Sequence, residues 1–538
     1  MSASQQKKVR QQQREEGVEK RQLAQKKAIK KQKRSKATGI IAGILAIVLV
    51  AALIIFNSPL FYRHFAAVKI GDESYSAAEL SFFYKTTYYN FANQNGQMLQ
   101  MMGLNPELPL DSQEYTEGQT WADFFRDAAI ESMKNTTMLW SEAQKAGFKM
   151  SDEEQAALDA NLEQLKTAYE GSEFKSADKY IAASYGRGCN VKLVSKLIEK
   201  SFIAQAYSEE MQSSFTYSPE SLAKEYETNA DNYDKYTYIS YLVDGSVKEE
   251  PQAPAADGST ASGSDITESG TASGSDIAEV PSATPAPTEE EAAAAKAEAM
   301  AAAKETADKL IADVETADDF STKVLALKQA EAAPTTTSGS QLDASYADWL
   351  KDAARTEGDK TVIETETGYQ TLYFISRDNN DYNTVSARHI LSYVLPNEAG
   401  EYTDEAKAEG KKKAEDILAE WKSGDATEDS FAKLANEKSD DTGSNTKGGL
   451  YESFAKGQMV KSFDEWCYDE ARKPGDTGIV FNEGSYCGYH AIYFVGTGDN
   501  YRDVLAENAL RGADYTKWET EALKNYTSEL GFTAKLVK

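Results

Sequence analysis

Two histidines and one aspartate stand out among the 538 residues of this chain, which contains three histidines and three cysteines in all. His389 and His490 lie about a hundred residues apart, and Asp441 lies between them. Imidazole and carboxylate groups can bind a metal, and Cys487 close to His490 suggests a nucleophile beside a base. Both chemistries are disfavoured, because the carboxylates are scattered and because neighbours on one strand rarely pair as nucleophile and base.

Short motifs surround these residues in a fixed order from residue 386 to residue 501. A short apolar strand carries His389, two helical runs follow, and Asp441 comes after the second run. Four further motifs complete the order, namely Lys447-Gly448-Gly449-Leu450, Gly457-Gln458-Met459-Val460 with the following Phe463, Gly475-Asp476, and Gly488-Tyr489-His490. Each motif alone is weak, but the ordered set resembles the parvulin family of peptidyl-prolyl cis/trans isomerases. The resemblance covers essentially one whole domain, residues 384–500.

The resemblance implies roles for individual residues. His389 and His490 fall on a pair of catalytic histidines that stand side by side on central strands, and Asp441 falls on their hydrogen-bond partner. The positions implied to bind the substrate's proline are Leu450, Met459, Phe463 and Cys487. No metal and no cofactor is implied. The alternative is a pair of structural core histidines in an inactive fold.

The chemistry of such a domain is rotation about a Xaa-Pro amide, against a barrier of roughly 18–20 kcal/mol. An apolar pocket with a few fixed polar groups beside the carbonyl suits the twisted amide, which has lost its resonance. Residues 396–401, after the first strand, are acidic and contain no arginine pair to bind phosphate. We therefore expect an unphosphorylated Xaa-Pro substrate.

Cys467 and Cys487 both lie close to the implied site. Cys467 follows Phe463 by one helical turn, and Cys487 belongs to the β-rich return. Neither has a counterpart in an internal repeat described below. Outside the cytoplasm the two would form a disulfide, and the alternative is two free thiols.

The N-terminal residues have the pattern of a membrane anchor. Residues 1–36 hold 13 Lys and Arg against three Glu, although the whole chain carries a net charge of −28. Residues 37–56 are uncharged and mostly aliphatic, long enough to span a bilayer core of roughly 30 Å. We therefore predict a transmembrane helix over residues 37–58, a cytoplasmic tail over residues 1–36 and an extracytoplasmic remainder. A cleaved signal peptide is the alternative.

Residues 65–235 are predicted to form a helical domain entered by one strand, similar in layout to the chaperone module of PrsA/SurA-like foldases. Its helix starts include Ser76 and the capping-box spacing of Ser151 with Glu154. Residues 501–538 carry apolar residues at helical spacing, and the resemblance implies that they return to complete this domain. Methionines around Met101 could contact unfolded chains or fill the core.

Residues 236–382 repeat the framework of the parvulin-like domain without its polar residues. Matching motifs place Tyr238 at the position of His389 and Gln370 at that of His490. The Asp-Asp and Gly-Gly-Leu stretch has no counterpart. A Ser-, Thr-, Ala- and Pro-rich segment, residues 245–288, is predicted to be a disordered insert in this degenerate copy.

Together these patterns predict an α+β chain with an N-terminal transmembrane helix, a helical SurA-like domain and two parvulin-like domains, each an antiparallel sheet wrapped by helices. The predicted function is an extracytoplasmic, membrane-tethered isomerase and chaperone that acts on newly exported, unfolded polypeptides containing Xaa-Pro. The alternative is a holdase without useful isomerase activity. The acidic bulk of the chain argues against nucleic acid as a partner.

Overall fold

A computed structural model of the chain describes residues 44–51, 53–247, 288–328, 332–484 and 486–538, together with isolated positions before residue 44. The chain divides into two compact units, of which the first is Met1–Thr216 with Arg511–Lys538 and the second is Tyr217–Leu510. The unit boundary thus lies before, not after, the helix that ends near residue 233. The disordered insert predicted over residues 245–288 lies, apart from its two ends, outside the described residues.

The structure does not support the transmembrane helix predicted over residues 37–58. In the described part of the chain, no helix is both long and apolar enough to cross a membrane. The helical residues that the structure describes in this region lie between positions 44 and 56. The basic tail and residues 37–43 lie mainly outside the described residues.

The first unit consists mainly of helices, with two short antiparallel hairpins. Its helices are α1 (Pro59–His64), α2 (Ala77–Asn95), α3 (Trp121–Ala146), α4 (Asp152–Thr167), α5 (Ala177–Tyr185) and α6 (Val191–Ser214), and its strands are β1 (Ala66–Ile70), β2 (Glu73–Ser76), β3 (Glu114–Thr116) and β4 (Gln119–Thr120). The predicted caps are confirmed: Ser76 with Glu79, and Ser151 with Glu154, form capping boxes that satisfy the first N–H groups of α2 and α4.

The second unit contains two four-stranded antiparallel sheets, and the first sheet has the strand order β6-β5-β8-β7. Its elements are α7 (Pro219–Tyr233), β5 (Lys235–Asp244), α8 (Glu289–Ala312), α9 (Ala317–Lys328), β6 (Thr335–Ser338), α10 (Ala347–Lys351), β7 (Lys360–Thr365) and β8 (Gly368–Asp378). Helices α8 and α9 cover one face around Ile239 and Phe320, and α10 covers the other around Leu350.

The second sheet has the same organisation, with the strand order β10-β9-β12-β11. Its elements are β9 (Asn383–Tyr393), α11 (Asp404–Ser423), α12 (Glu428–Lys438), β10 (Leu450–Phe454), α13 (Lys461–Cys467), β11 (Thr477–Glu483) and β12 (Cys487–Asn500), and α14 (Tyr501–Leu523) follows. Helices α11 and α12 pack on one face around Ile390 and Trp421. Helix α13 packs on the other, around Phe463 and Phe494.

The register of the repeat differs from the sequence alignment in one strand. His389 lies opposite Ile492, whose equivalent in the first sheet, by the matching Gly-Tyr and Tyr-Phe motifs of the two strands, is Leu372. Leu372 lies opposite Ser240. Ser240, and not Tyr238, therefore occupies the position of His389. A shift by two residues preserves which face each side chain occupies, so the alternating pattern could not exclude it.

The first sheet also lacks the loop that carries Asp441. Six residues connect α9 to β6, whereas eleven connect α12 to β10. Gln370, two residues before Leu372, occupies the position of His490. The first repeat thus has the framework of the second with neither imidazole.

The C-terminal residues return to the first unit. Strand β13 (Ser528–Leu530) pairs antiparallel with β1, with Val68 opposite Leu530. Tyr526 is buried, and its hydroxyl donates a hydrogen bond to the Glu142 carboxylate at 2.9 Å. The end of the chain is therefore part of the fold of the helical unit.

Candidate active site

Neighbouring strands place the two histidines side by side. In the antiparallel pair of β9 and β12, His389 lies opposite Ile492 and His490 lies opposite Leu391. Because side chains two residues apart share a face of a strand, both imidazoles lie on the face covered by α13. Their ring centroids are 5.2 Å apart, and their Nδ1 atoms are 3.0 Å apart. Both side chains are buried.

A loop fastened to β9 brings Asp441 to this pair. The backbone N–H of Leu391 donates to Ser439 Oγ at 3.1 Å, and the N–H of Asp440 donates to the Leu391 carbonyl at 3.0 Å. These bonds extend the edge of the strand and turn the next residue toward His389. The Asp441 Oδ2 atom lies 2.9 Å from His389 Nε2.

The Asp441 carboxylate accepts several hydrogen bonds. Besides His389, the hydroxyls of Ser444 and Tyr451 donate to Oδ2 at 2.5 and 3.1 Å, and the N–H of Gly443 donates to Oδ1 at 3.0 Å. The bond from His389, followed by those from Ser444 and Gly443, holds the pKa of the Asp441 carboxyl well below its usual range. Asp441 is therefore ionised at physiological pH.

The partners of each ring nitrogen determine the direction of the hydrogen bonds. The Asp441 carboxylate can only accept, so His389 Nε2 carries a proton. With His389 neutral, its Nδ1 accepts from the Nδ1–H of His490, and His490 Nε2 accepts from the Tyr486 hydroxyl at 3.0 Å. Burial, with a smaller contribution from His389, lowers the pKa of His490 to about 3. The arrangement with two neutral rings is a directed chain from Tyr486 to Asp441.

Apolar side chains form the wall beside the imidazoles. The Phe463 ring lies 5.6 Å from the His389 ring and 5.5 Å from the His490 ring, nearly perpendicular to both. Met459 packs against the same cluster, which also includes Phe454. The structure thus places Phe463 against both imidazoles and Met459 in the same apolar cluster as Phe463, as expected for a site that contacts both a ring and a carbonyl.

Two of the implied substrate-binding residues lie on the other face of the sheet. Leu450 is paired with Arg388, and Tyr451 is paired with Ala387, which shares the face of His389. Tyr451 therefore takes the place expected for Leu450. The pairing of β10 shifts between Tyr451 and Phe454, where Ser453 has a φ of 49°, so a bulge absorbs an extra residue.

Cys487 is displaced by one residue in the same way. It is buried and begins β12, but it lies three positions before His490, so it faces the helices α11 and α12. Burial, followed by the nearby Glu483, raises the pKa of its thiol, and Lys407 of α11 opposes this change. Tyr486, four residues before His490, takes the place expected for Cys487. The thiol is therefore not arranged as a nucleophile beside His490.

The disulfide hypothesis is contradicted, because Cys467 and Cys487 are both free thiols. Cys467 packs against Phe494, whereas Cys487 lies seven residues away along β12, a distance of about 23 Å on a strand. The bond was inferred from the expectation that both residues lie at the histidines. Burial raises the pKa of the Cys467 thiol to about 12.

Ser444, Tyr451 and Tyr486 are candidate site residues that the sequence interpretation missed. Tyr486 had a usable signal, because an even spacing of four residues puts it on the face of His490 if the strand is extended that far. Ser444, three residues after Asp441, has a typical spacing for a side-chain hydrogen bond within a loop. Tyr451 depended on locating the bulge.

A groove of about 1280 Å³ opens next to this polar group. It is lined by Tyr393, Leu395, Asp440 and residues of α11, and none of His389, Asp441 and His490 contributes to its lining. The Tyr393 ring meets the Tyr486 ring edge-on at 5.8 Å. The groove therefore adjoins the site through Tyr393 and Asp440 and lies mainly over α11 and α12.

Comparison with known proteins identifies a family that matches the part of the chain containing this site. Residues 369–494 match the family model of the PPIC-type PPIase domain. A curated relative, foldase protein PrsA 1 of Listeria innocua, is 38% identical over 82 residues, which cover 15% of this chain and 26% of the relative. The chain thus spans about a quarter of that relative's length. The predicted parvulin-type domain and its likeness to a PrsA-type foldase are confirmed by these two matches.

Two solved structures are also similar. The peptidylprolyl isomerase PrsA of Bacillus cereus is 21% identical, with 27% of this chain and 50% of that chain covered and a TM-score of 0.17. The peptidylprolyl isomerase PrsA of Bacillus anthracis is 18% identical, with 42% and 85% covered and a TM-score of 0.18.

Proposed function

We propose that this chain, which contains a parvulin-type PPIase domain within residues 369–494, catalyses cis/trans isomerisation of Xaa-Pro bonds in unfolded polypeptides. The observation that carries the proposal is the contact of a hydrogen-bonded His389–His490 pair with an ionised Asp441 on one side and with the Phe463 ring on the other. An apolar wall and a fixed polar group meet within one site. Amide rotation needs both.

The proposed mechanism is non-covalent. A planar Xaa-Pro amide must lose its C–N resonance to rotate, at a cost of roughly 18–20 kcal/mol in the uncatalysed reaction. Met459 and Phe463 would hold the proline ring, so that the carbonyl rotates relative to a fixed ring. The ordered imidazoles and the tyrosine hydroxyls provide fixed dipoles beside the rotating group, at no reorganisation cost during the reaction.

Proton transfer has no part in this mechanism. The His490 ring is neutral, with its pKa lowered to about 3, and Asp441 is ionised. Neither group changes its charge near neutral pH, and both are held by hydrogen bonds to other protein groups. Their role in the proposal is to orient dipoles and to shape the floor of the site.

The proposed substrates carry no phosphate before the proline. The loop after β9 is acidic, with Glu398 and Glu401 exposed. Four of the five lysines on the neighbouring helix α11 form ion pairs, including Lys407 with Glu483 and Lys413 with Asp440. A phosphate dianion would thus meet like charge and no arginine pair, which disfavours its binding.

We further propose a role in the folding of exported proteins outside the cytoplasm. The name of the curated relative, a foldase, supports the folding role. The extracytoplasmic location stays a prediction from the sequence, which concentrates basic residues before position 37. Fractionation of cells producing the tagged protein would test it.

A second candidate function is client binding without catalysis. Met98, Met101 and Met102 are exposed in the helical unit, Met101 by 86% of its surface, and flexible methionines adapt to varied apolar partners. The first repeat lacks both imidazoles, which also suits binding without rotation.

A refolding experiment separates the two candidates. The full chain is added to a protein whose refolding is limited by proline isomerisation and, separately, to one that aggregates during refolding without a proline-limited step. An isomerase accelerates the slow phase of the first at catalytic concentration. A holdase protects the second at stoichiometric concentration and leaves the slow phase of the first unchanged.

A further inference from the structure

The first sheet contacts the loop that leads into α13 of the active-site domain. Residues 455–459, which we call the pocket loop, connect β10 to the start of α13 and end in Met459. Lys235 is the first residue of β5, in the first sheet. Its Nζ donates a hydrogen bond to the backbone carbonyl of Lys456, at 2.9 Å.

The pocket loop determines where the apolar wall stands. The N–H of Ala455 donates to the side chain of Gln458 at 2.8 Å, and the N–H of Gly457, whose φ is +82°, donates to the Asp464 carboxylate at 3.0 Å. Asp464 follows Phe463 in α13. A displacement of the loop would therefore move both Met459 and the start of the helix that carries Phe463.

Lys235 is well placed to restrain this loop. Its ammonium group lies 5.5 Å from the centre of the Tyr501 ring, and its side chain is partly buried. A cavity of about 560 Å³, lined by Lys235, Gly457 and Thr337 among others, borders the same side of the loop. Since this side of the loop faces a cavity, the bond from Lys235 bridges a gap that packed side chains do not fill.

Further contacts hold the loop against the linker between the repeats. The Lys456 ammonium group lies 4.5 Å from the centre of the Tyr382 ring and 5.4 Å from that of Tyr468. Tyr382 also stacks on Tyr501, with ring centroids 5.4 Å apart. Within the active-site domain, the Tyr468 hydroxyl donates to the Phe454 carbonyl at 2.6 Å. The loop is thus held on both sides of Lys456.

We propose that Lys235 is a positioning residue for the isomerase: by holding the pocket loop, it fixes Met459 and Phe463 where they meet the substrate's proline. The degenerate repeat then holds the pocket loop of the domain that contains the two histidines in place. This inference rests on the proposed isomerase function. It goes beyond that function, because it assigns a task to a residue outside the PPIase domain.

The test uses three variants of the full chain, each with a single substitution. Lys235→Met keeps the apolar stem and removes the ammonium group, and Lys235→Arg keeps a charged donor. Lys351→Met is the matched control. Lys351 lies in the first repeat, and its ammonium group donates a hydrogen bond to the Asn232 side chain in α7, at 3.1 Å. Melting curves verify that each variant is folded.

The expected kinetic result is a change in KM. For Lys235→Met, KM for an Xaa-Pro peptide should rise about three- to tenfold, as for loss of a charged hydrogen bond at a partly exposed site. The kcat value should stay within about twofold, because the imidazoles and Asp441 lie outside the loop. Lys235→Arg should restore most of the loss, and Lys351→Met should match the wild type.

Hydrogen exchange gives a readout that does not depend on activity. The amides of residues 455–459 should exchange faster in Lys235→Met than in the wild type and in the Lys351→Met control. An active wild type with unchanged KM and unchanged loop exchange in Lys235→Met would overturn the positioning role alone. A wild type that does not isomerise would overturn the proposed function and, with it, the role of Lys235 in positioning the substrate pocket, whereas loop exchange would still report whether Lys235 holds the loop.

Discussion

His389 and His490 face each other through like atoms, with Nδ1 3.0 Å from Nδ1. Two such nitrogens form a hydrogen bond only if one carries a proton and the other does not. The carboxylate of Asp441 on His389 and the hydroxyl of Tyr486 on His490 supply the asymmetry that decides which does. The residues at the two ends of the pair, Asp441 and Tyr486, therefore determine where its protons lie.

Asp441 anchors one end of this order. Replacement by Asn removes the charge and keeps the shape, so the partners Ser444 and Tyr451 must reorient. We expect kcat/KM for an Xaa-Pro peptide to fall about tenfold to a hundredfold, the effect of losing roughly 1.5–3 kcal/mol from a charged hydrogen bond. Steady-state isomerisation of the full chain measures this.

The neighbouring aspartate is the matched control for that prediction. The Asp440 carboxylate accepts from the N–H of Tyr393 and from Lys413, and it faces the groove. Asp440→Asn should change kcat/KM by less than about threefold, as for an exposed charge pair. Equal losses in Asp440→Asn and Asp441→Asn would contradict the specific role of Asp441.

Tyr486 anchors the other end. Tyr486→Phe removes the hydroxyl that donates to His490 and keeps the ring that packs on Tyr393. We expect kcat/KM to fall about three- to tenfold, the effect of one lost neutral hydrogen bond. Cys487→Ala is its control: the thiol lies on the opposite face, so this variant should lose stability and not kcat/KM. The reverse pattern would show that Cys487 lines the site after all.

The burial of His490 predicts a pH dependence of stability. Its pKa is about 3 in the folded protein and about 6.5 when unfolded. Between these values the unfolded state binds the extra proton, so stability falls as pH falls below about 6.5. The contribution of one such group is about 1.4 kcal/mol per pH unit. Asp441 adds to this slope only below about pH 5, because its carboxyl has a pKa of about 3.9 when unfolded and a lower pKa when folded.

Urea unfolding at pH 7.5 and pH 5.0 measures this dependence. The wild type should lose about 2 kcal/mol more than a His490→Asn variant over this interval, since the variant has no imidazole to protonate. Equal losses in the two proteins would mean that His490 is already accessible to protons in the folded state.

The cysteines predict a simple mass measurement. All three thiols are free and buried, and burial raises the pKa of Cys189 and Cys467 to about 12. Alkylation without reductant should modify three cysteines in the unfolded protein and few or none in the native one. A protein that takes up one alkyl group when unfolded would contain a disulfide.

The order of motifs in the sequence was enough to predict which polar residues meet. His389, Asp441 and His490 converge because the strand, loop and strand that carry them have fixed places in the sheet. Met459 and Phe463 were also predicted to lie beside them, since they belong to a loop and helix on the same face. These assignments did not depend on knowing any strand to the exact residue.

The wrong assignments of site residues came from misplacing residues along strands. Leu450 and Cys487 are each one residue from the side chain that reaches the site, and one residue reverses the face of a strand. An extra residue in β10 and an extended segment before β12 decided those cases, and neither is visible as an apolar pattern. Tyr238 was matched to His389 by a slip of two residues, which alternation cannot detect. The membrane helix was predicted from composition alone.

The proposed function assigns the rotation of Xaa-Pro bonds to the His389–Asp441–His490 group. The most direct measurement is exchange between the cis and trans forms of an unphosphorylated Xaa-Pro tetrapeptide by NMR, with the full chain at catalytic concentration. The wild type should accelerate the exchange of the bound peptide roughly a thousandfold, as expected if the barrier to rotation falls by about 4 kcal/mol. His490→Ala should lose most of it while remaining folded. No acceleration by the wild type, or equal acceleration by a folded His490→Ala variant, would contradict the claim.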